Sequence, residues 1–240
     1  MSVSNHSFLA AIALAFLGLA GCGGEAATVK DGDETTPAVA AAEAAGVKVV
    51  PAAGLPKLDD PLPPLDGGRI EVSPPAGWVR LERDNNFLTR FVIDKTSGNP
   101  PRMLLTVQDA SGDFASGVTA DNVEAFAAAI AAEMEGKKLV EEVKPIVIGQ
   151  HAFARYVGAA KKGNRSVDRQ ILITEFDGRR YQIALEVWAG EKELKKHRDH
   201  AYAVAAGLKF TKPGTATETP APAPMEEAPA SAPVDEVKPE

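Results

Sequence analysis

The sequence predicts an α+β domain: a mainly antiparallel sheet of about six to seven strands flanked by two helices. Three observations carry that prediction. Several stretches between residues 67 and 211 alternate apolar and polar side chains, the period of a half-buried strand. Two stretches in the same region repeat their apolar residues at helical spacing, one in mid-chain and one at the end. All three Tyr, both Trp and seven of the nine Phe also lie there, so one core gathers in one region. Strands, then a helix, then a strand meander, then a helix is the order of a sheet covered by helices.

Taken in order, "RIEVSPPAGW" gives a short strand ending at Ser73, then a turn through Pro74-Pro75 and Gly77-Trp78. In "FLTRFVID", Phe87, Phe91 and Ile93 alternate with Arg90 and Asp94, which predicts a strand buried on one face. "SGNPP" breaks it and "RMLLTVQDA" (102–110) supplies its hairpin partner. Asp121 with Glu124 three residues on forms a capping-box-like start to the first helix. Val123, Phe126, Ile130 and Met134 make its apolar stripe, and Gly136 ends it.

"LVEEVKPIVIG" and "HAFARYVGAA" are two strands joined around Gly149-Gln150, and "KKGN" turns the chain into "RSVDRQILITEF". Asp177-Gly178 is the strongest hairpin signal in the chain, because a type I′ turn needs positive φ at both central positions. Beyond it, Tyr181, Ile183, Leu185 and Val187 face one way and Gln182 and Glu186 the other. A second helix is predicted over about 190–206, with "LKF" as a last short strand.

Charge separates this domain from its flanks. Residues 67–212 hold 22 Lys and Arg against 19 Asp and Glu, whereas residues 23–66 hold 3 against 8 and those after 212 hold 1 against 6. Both arms are acidic, rich in Ala and Pro, and free of aromatics. They cannot bury enough apolar surface to offset their ordering entropy. The predicted organisation is therefore a leader over 1–21, a linker over 22–66, the domain over 67–211 and a disordered tail over 212–240. A nearly neutral core lacks the concentrated basic face of a nucleic-acid binder.

The leader is "FLAAIALAFLGLA", an apolar run of 13 residues after a polar start. As a helix it reaches about 20 Å, short of the roughly 30 Å hydrocarbon core, so it reads as a signal peptide and not as a permanent span. The chain's one cysteine follows directly. Leu19-Ala20-Gly21-Cys22 resembles the lipobox of bacterial lipoprotein precursors. The resemblance implies cleavage between Gly21 and Cys22, a diacylglyceryl group on the Cys22 thiol, and a mature protein held to a membrane of the cell envelope. Two or more acyl chains anchor stably where one does not.

The domain resembles the PsbP-like family, through "EVSPPAGWVRLE", "PIVIGQHAFARYVG", "FDGRRYQIALEV" and a closing "AAGLKF", over about residues 69–211. That resemblance implies a PsbP-like sandwich without enzyme activity or cofactor, serving protein interaction or scaffolding in the envelope. The alternative is a small-ligand or metal-binding lipoprotein using the last helix. There Glu193, His197 and His200 fall at i, i+4 and i+7 within about a 60° arc, while Lys195, Lys196 and Arg198 beside them oppose a cation.

The chain contains no Gly-x-Ser-x-Gly elbow, P-loop, dinucleotide-binding glycine motif or His-Glu-x-x-His. The basic clusters Lys161-Lys162…Arg165, Arg179-Arg180 and Lys192…Arg198 are expected to be solvated turns and helix surface, or else a face lying against anionic lipid.

Overall fold

The structure is a computed structural model that describes residues 42, 46–81, 86–93 and 98–213. The lipobox, with Gly21 and Cys22, and the tail beyond 213 lie outside the described residues.

Twelve elements are described. Strands β1 (Lys48–Val50), β2 (Ile70–Glu71), β3 (Val79–Leu81), β4 (Thr89–Val92) and β5 (Arg102–Asp109) precede helix α1 (Val123–Glu133). Strands β6 (Leu139–Ile148), β7 (His151–Lys162), β8 (Arg165–Phe176) and β9 (Arg179–Trp188) then run as a meander. Helix α2 (Glu191–Ala206) and strand β10 (Lys209–Phe210) close the fold. One sheet of eight strands has the order β1-β6-β7-β8-β9-β5-β4-β3, and β10 pairs with β2 in a second, two-stranded sheet. Every pairing is antiparallel except that of β1 with β6. This is the expected α+β architecture, with eight strands in the main sheet where six or seven were predicted.

Register fixes which residues share a face. The β8–β9 hairpin turns at Asp177 and Gly178, whose φ values of 48° and 72° are those the turn requires. That aligns Leu172 with Ile183 on one face and Ile171 with Ala184 on the other. On the first face α2 packs through Leu194, Ala201, Tyr202, Val204 and Ala205 onto Leu172, Tyr181, Ile183, Leu185 and Val187. On the second, α1 buries Phe126, Ala127 and Ile130 against Ala154, Ile171, Ile173 and Ala184. Burying each such large side chain contributes about 1.5–3 kcal/mol. Two helices on opposite faces make three layers, and each face of β8 is therefore apolar at its centre.

Three expectations are corrected. Residues 46–66, assigned to the linker, belong to the fold. Here β1 adds to the sheet beside β6, and Leu58 and Leu62 pack on the α2-side core. Leu65 accompanies them, and Leu62 N donates to Val72 O at 2.9 Å. The prolines and acids that suggest a coil from sequence are offset by these leucines, whose partners lie far along the chain.

Next, Asp121 does not cap α1. Asn122 holds that position, and its side chain turns away to accept from Thr119 N at 2.8 Å. Finally, Ile93 is 46% exposed whereas Leu88, Thr89 and Val92 are buried, so β4 is covered on both faces and not on alternate residues. It lies inside the sheet between β3 and β5, and "VRL" (β3), unread in the sequence, accounts for one of the two extra strands.

Candidate functional site

Glu193, His197 and His200 do lie along one side of α2, but they do not form a ligand set. Glu193 Oε2 stands 4.0 Å from His197 Nε2, and the two imidazole centroids are 5.9 Å apart. Trp78 packs on both rings, at 6.0 Å from His197 and 5.6 Å from His200. His197 is buried, and its Nδ1 finds no hydrogen-bond partner. Burial, then the neighbouring Lys196 and His200 charges, hold its pKa below the ordinary imidazole value. Among the described residues no group of three His, Cys, Asp or Glu is placed to hold a metal ion.

The basic clusters separate into two kinds. Arg179 donates to Asp66 at 2.9 Å and to Asp109, and Arg180 pairs with Glu133 and with the buried Glu175. Arg198 joins Arg155 on Glu141 and on the Gln170 amide oxygen, a partly exposed network linking α2 to β6, β7 and β8. Burial opposes the Glu141 charge, but these two guanidinium groups outweigh it and lower the carboxyl pKa. Arg179, Arg180 and Arg198 are thus each committed to a carboxylate of the fold.

Another set of cations collects on the other face of the sheet, beyond the end of α1. Helix α1 packs on β6 and β7 and stops at Glu133, and the chain then passes Gly136, with φ of 75°, to Lys137 and Lys138. Past the helix end, β7 presents Gly158 and Ala160, β8 presents Arg169 opposite Gly158, and β9 presents Glu186 opposite Arg169. The small β7 residues leave a floor from which longer side chains stand up. The result is a cleft of about 330 Å³ whose lining includes Lys137, Lys138, Arg169, Tyr156 and Gln182 as its polar groups. Met134, Leu139 and Ile171 supply its apolar wall. Burial keeps the Tyr156 phenol pKa above its usual value, and the hydroxyl is a donor at neutral pH.

One carboxylate holds several cations beside this cleft. Glu186, 3% exposed, receives Arg102 through Oε2 and Arg169 through Oε1. Lys162 stands close by and donates to Gly98 O at 3.0 Å, a neutral acceptor. Burial, then the like charges of Arg102 and Arg90, lower the Lys162 pKa against the pull of Glu186. Arg90 stacks over Phe87 at 5.1 Å and leaves its buried Nε without a partner. Arg165 lies over Trp188 at 3.7 Å at the end of the same face.

From sequence, Lys162 and Arg165 are visible as part of a basic turn. Arg169, Tyr156, Gln182, Lys137 and Lys138 were not singled out. The available signal was the Gly158-Ala159-Ala160 run inside a long strand.

A second cleft, of about 400 Å³, opens at the other end of β8 between residues 116–119, His151, Phe176 and Phe210. His151 Nε2 donates to Leu208 O at 2.8 Å there, which ties β7 to the segment entering β10.

No family model matches the chain, and a search of curated proteins returns no match. Solved structures give distant likenesses. A protein of Bacteroides thetaiotaomicron is 13% identical at a TM-score of 0.45, over 66% of this chain and 50% of that one. This chain thus spans half the length of the Bacteroides protein. LpqN, involved in cell envelope biogenesis of Mycobacterium tuberculosis, is 16% identical at 0.40, over 60% and 83%. The cyanobacterial PsbP of Synechocystis is 12% identical at 0.38, over 66% and 95%. Among the described residues no helix is long and apolar enough to cross a membrane.

Proposed function

We propose that this chain is a lipid-anchored protein of the cell envelope whose α+β domain is a non-catalytic interaction module. The observation that carries the reading is Leu19-Ala20-Gly21-Cys22 directly after the apolar run, in a chain with no other cysteine. A thiol there serves acylation; with no second cysteine it has no partner within the chain for a disulfide. The segment between Cys22 and Ala42, which is buried with Val47 against Val123, Val147 and Ala152, then joins the anchor to the domain.

The interaction role draws on the second face of the sheet, where cations outnumber carboxylates beyond the end of α1. A protein partner with an acidic surface is the expected occupant of the envelope complex. Expression of the full chain with a labelled fatty acid tests the anchor. The label should enter the parent and be absent from Cys22→Ser, which should also leave the membrane fraction. Label or membrane retention equal to the parent in Cys22→Ser removes the reading. In-cell crosslinking from a photoreactive residue at Lys138, which lines the cleft on that face, tests the interaction role, and a specific protein adduct is expected.

A further inference from the structure

We propose that the cleft between the end of α1 and strands β7–β9 binds a phosphate ester with an apolar substituent. Lys137, Lys138 and Arg169 hold the phosphate, and Met134, Leu139 and Ile171 hold the substituent.

The electrostatic part of the argument rests on an imbalance. Among the described residues, Arg102 and Arg169 share one buried carboxylate, Glu186, with Lys162 beside them and Arg90 near Lys162. Lys137 and Lys138 add two more positive charges across the cleft, and no acid is among its lining residues. Like charges gathered on one face repel one another, and an anion entering the cleft relieves that repulsion. A phosphate suits the donor set better than a lone carboxylate. It offers several acceptor oxygens to one planar guanidinium and two point-charge ammonium groups. The Tyr156 hydroxyl and Gln182 amide add neutral donors.

The chemical part rests on the rest of the lining. Gly158 and Ala160 bring the ligand close to the β7 backbone, and the Met134, Leu139 and Ile171 side chains give an apolar wall beside the charges. Inorganic phosphate would leave that wall facing water. An ester with a hydrocarbon or ring substituent covers it. Two sources share this chemistry: a lipid headgroup at the membrane surface, and a free phosphoester.

The test uses the full chain carrying Cys22→Ser, so that the anchor plays no part and its failure is separate from that of this site. Titration calorimetry compares inorganic phosphate with short-chain dihexanoyl phosphatidic acid. The ester is expected to bind at least about tenfold more tightly than the bare anion, the effect of covering one or two apolar side chains. Lys137→Gln with Lys138→Gln should weaken ester binding about tenfold or more, the scale of one charge-assisted hydrogen bond. These lysines make no ion pair within the described fold, so the double variant should keep its folded circular-dichroism spectrum. Arg169→Gln should weaken binding similarly, and Lys57→Gln, an exposed lysine elsewhere, should leave it unchanged.

Retention on vesicles of phosphatidylcholine and phosphatidic acid, lost in the double variant, assigns a lipid headgroup. Binding of the soluble ester without such retention assigns a free phosphoester. Absence of binding to every probe, equal affinity for phosphate and ester, or binding that the double variant leaves unchanged would overturn the proposal.

Discussion

Asp66 and Tyr181, 115 positions apart, meet in a 2.9 Å hydrogen bond from the phenol to the carboxylate. The same carboxylate receives both the Nε and Nη2 of Arg179. Asp66 itself sits at φ of 50°, a left-handed conformation that Asp tolerates because its short side chain satisfies local geometry. An acid in the segment read as linker therefore locks the end of the β8–β9 hairpin.

Asp66→Ala should lower stability by about 2–4 kcal/mol, since it strands a buried phenol and removes an arginine partner. Tyr181→Phe keeps the ring packing and should cost only about 1 kcal/mol. Urea denaturation of the two variants checks the order. Equal, negligible effects would mean residues 46–66 are not held on the domain in solution.

Glu186→Gln leaves Arg102 and Arg169 without their shared carboxylate, close to Lys162. A loss of about 2–4 kcal/mol is expected, reduced from the fully buried case because Arg169 is partly solvated. Added salt screens the remaining repulsion, so the deficit should shrink between low and high ionic strength. A deficit independent of salt would argue that shape, and not charge, is what Glu186 supplies.

Histidine protonation should destabilise the domain in mild acid. Burial lowers the pKa of His151 and of His197, so both bind protons less readily when folded than when unfolded. In the unfolded chain imidazole titrates near about 6.5. Stability from these neutral rings is thus present above that value and is lost as pH falls below it, levelling off under the folded pKa. Denaturant midpoints measured from pH 7.5 down to 5 should fall in the parent. The slope should flatten in His197→Leu, where Trp78 keeps an apolar neighbour.

Phe126, on the sheet-facing side of α1, is fully buried and meets Phe114 edge-on at 5.2 Å. Truncation to alanine should cost about 3–5 kcal/mol and Ile130→Val about 0.5–1.5 kcal/mol. Thermal unfolding of both variants reads the ratio. Near-equal shifts would indicate that the helix packs loosely.

The meander was legible because its signals are local. Asp177-Gly178 names its own turn, and the alternation from Tyr181 to Val187 needs no knowledge of any partner. The Asp66 bond is of the opposite kind, because nothing near Asp66 reveals that residues 179 and 181 will arrive beside it. Likewise β1 is three residues of ordinary character that become a strand only when β6 offers an edge. The cleft was hidden for the same reason. Arg169, Gly158 and Glu186 are separated in sequence, and only the β7–β8–β9 register sets them side by side. Glu193, His197 and His200 were legible as a stripe, yet the stripe could not report that Trp78 would fill the space beside them.

The parallel pairing of β1 covers only Ile146, Val147 and Ile148 of β6, and leaves the strand's first part open. That open part carries two irregularities in register with β7, and it holds Pro145, which has no N–H to offer a newcomer. At the sheet's other border, β3 is only three residues long. Neither border is a flat ladder on which a second molecule could extend the sheet. Copies of this protein crowded together would thus be protected from polymerising edge to edge through the described strands, and would remain available as separate molecules.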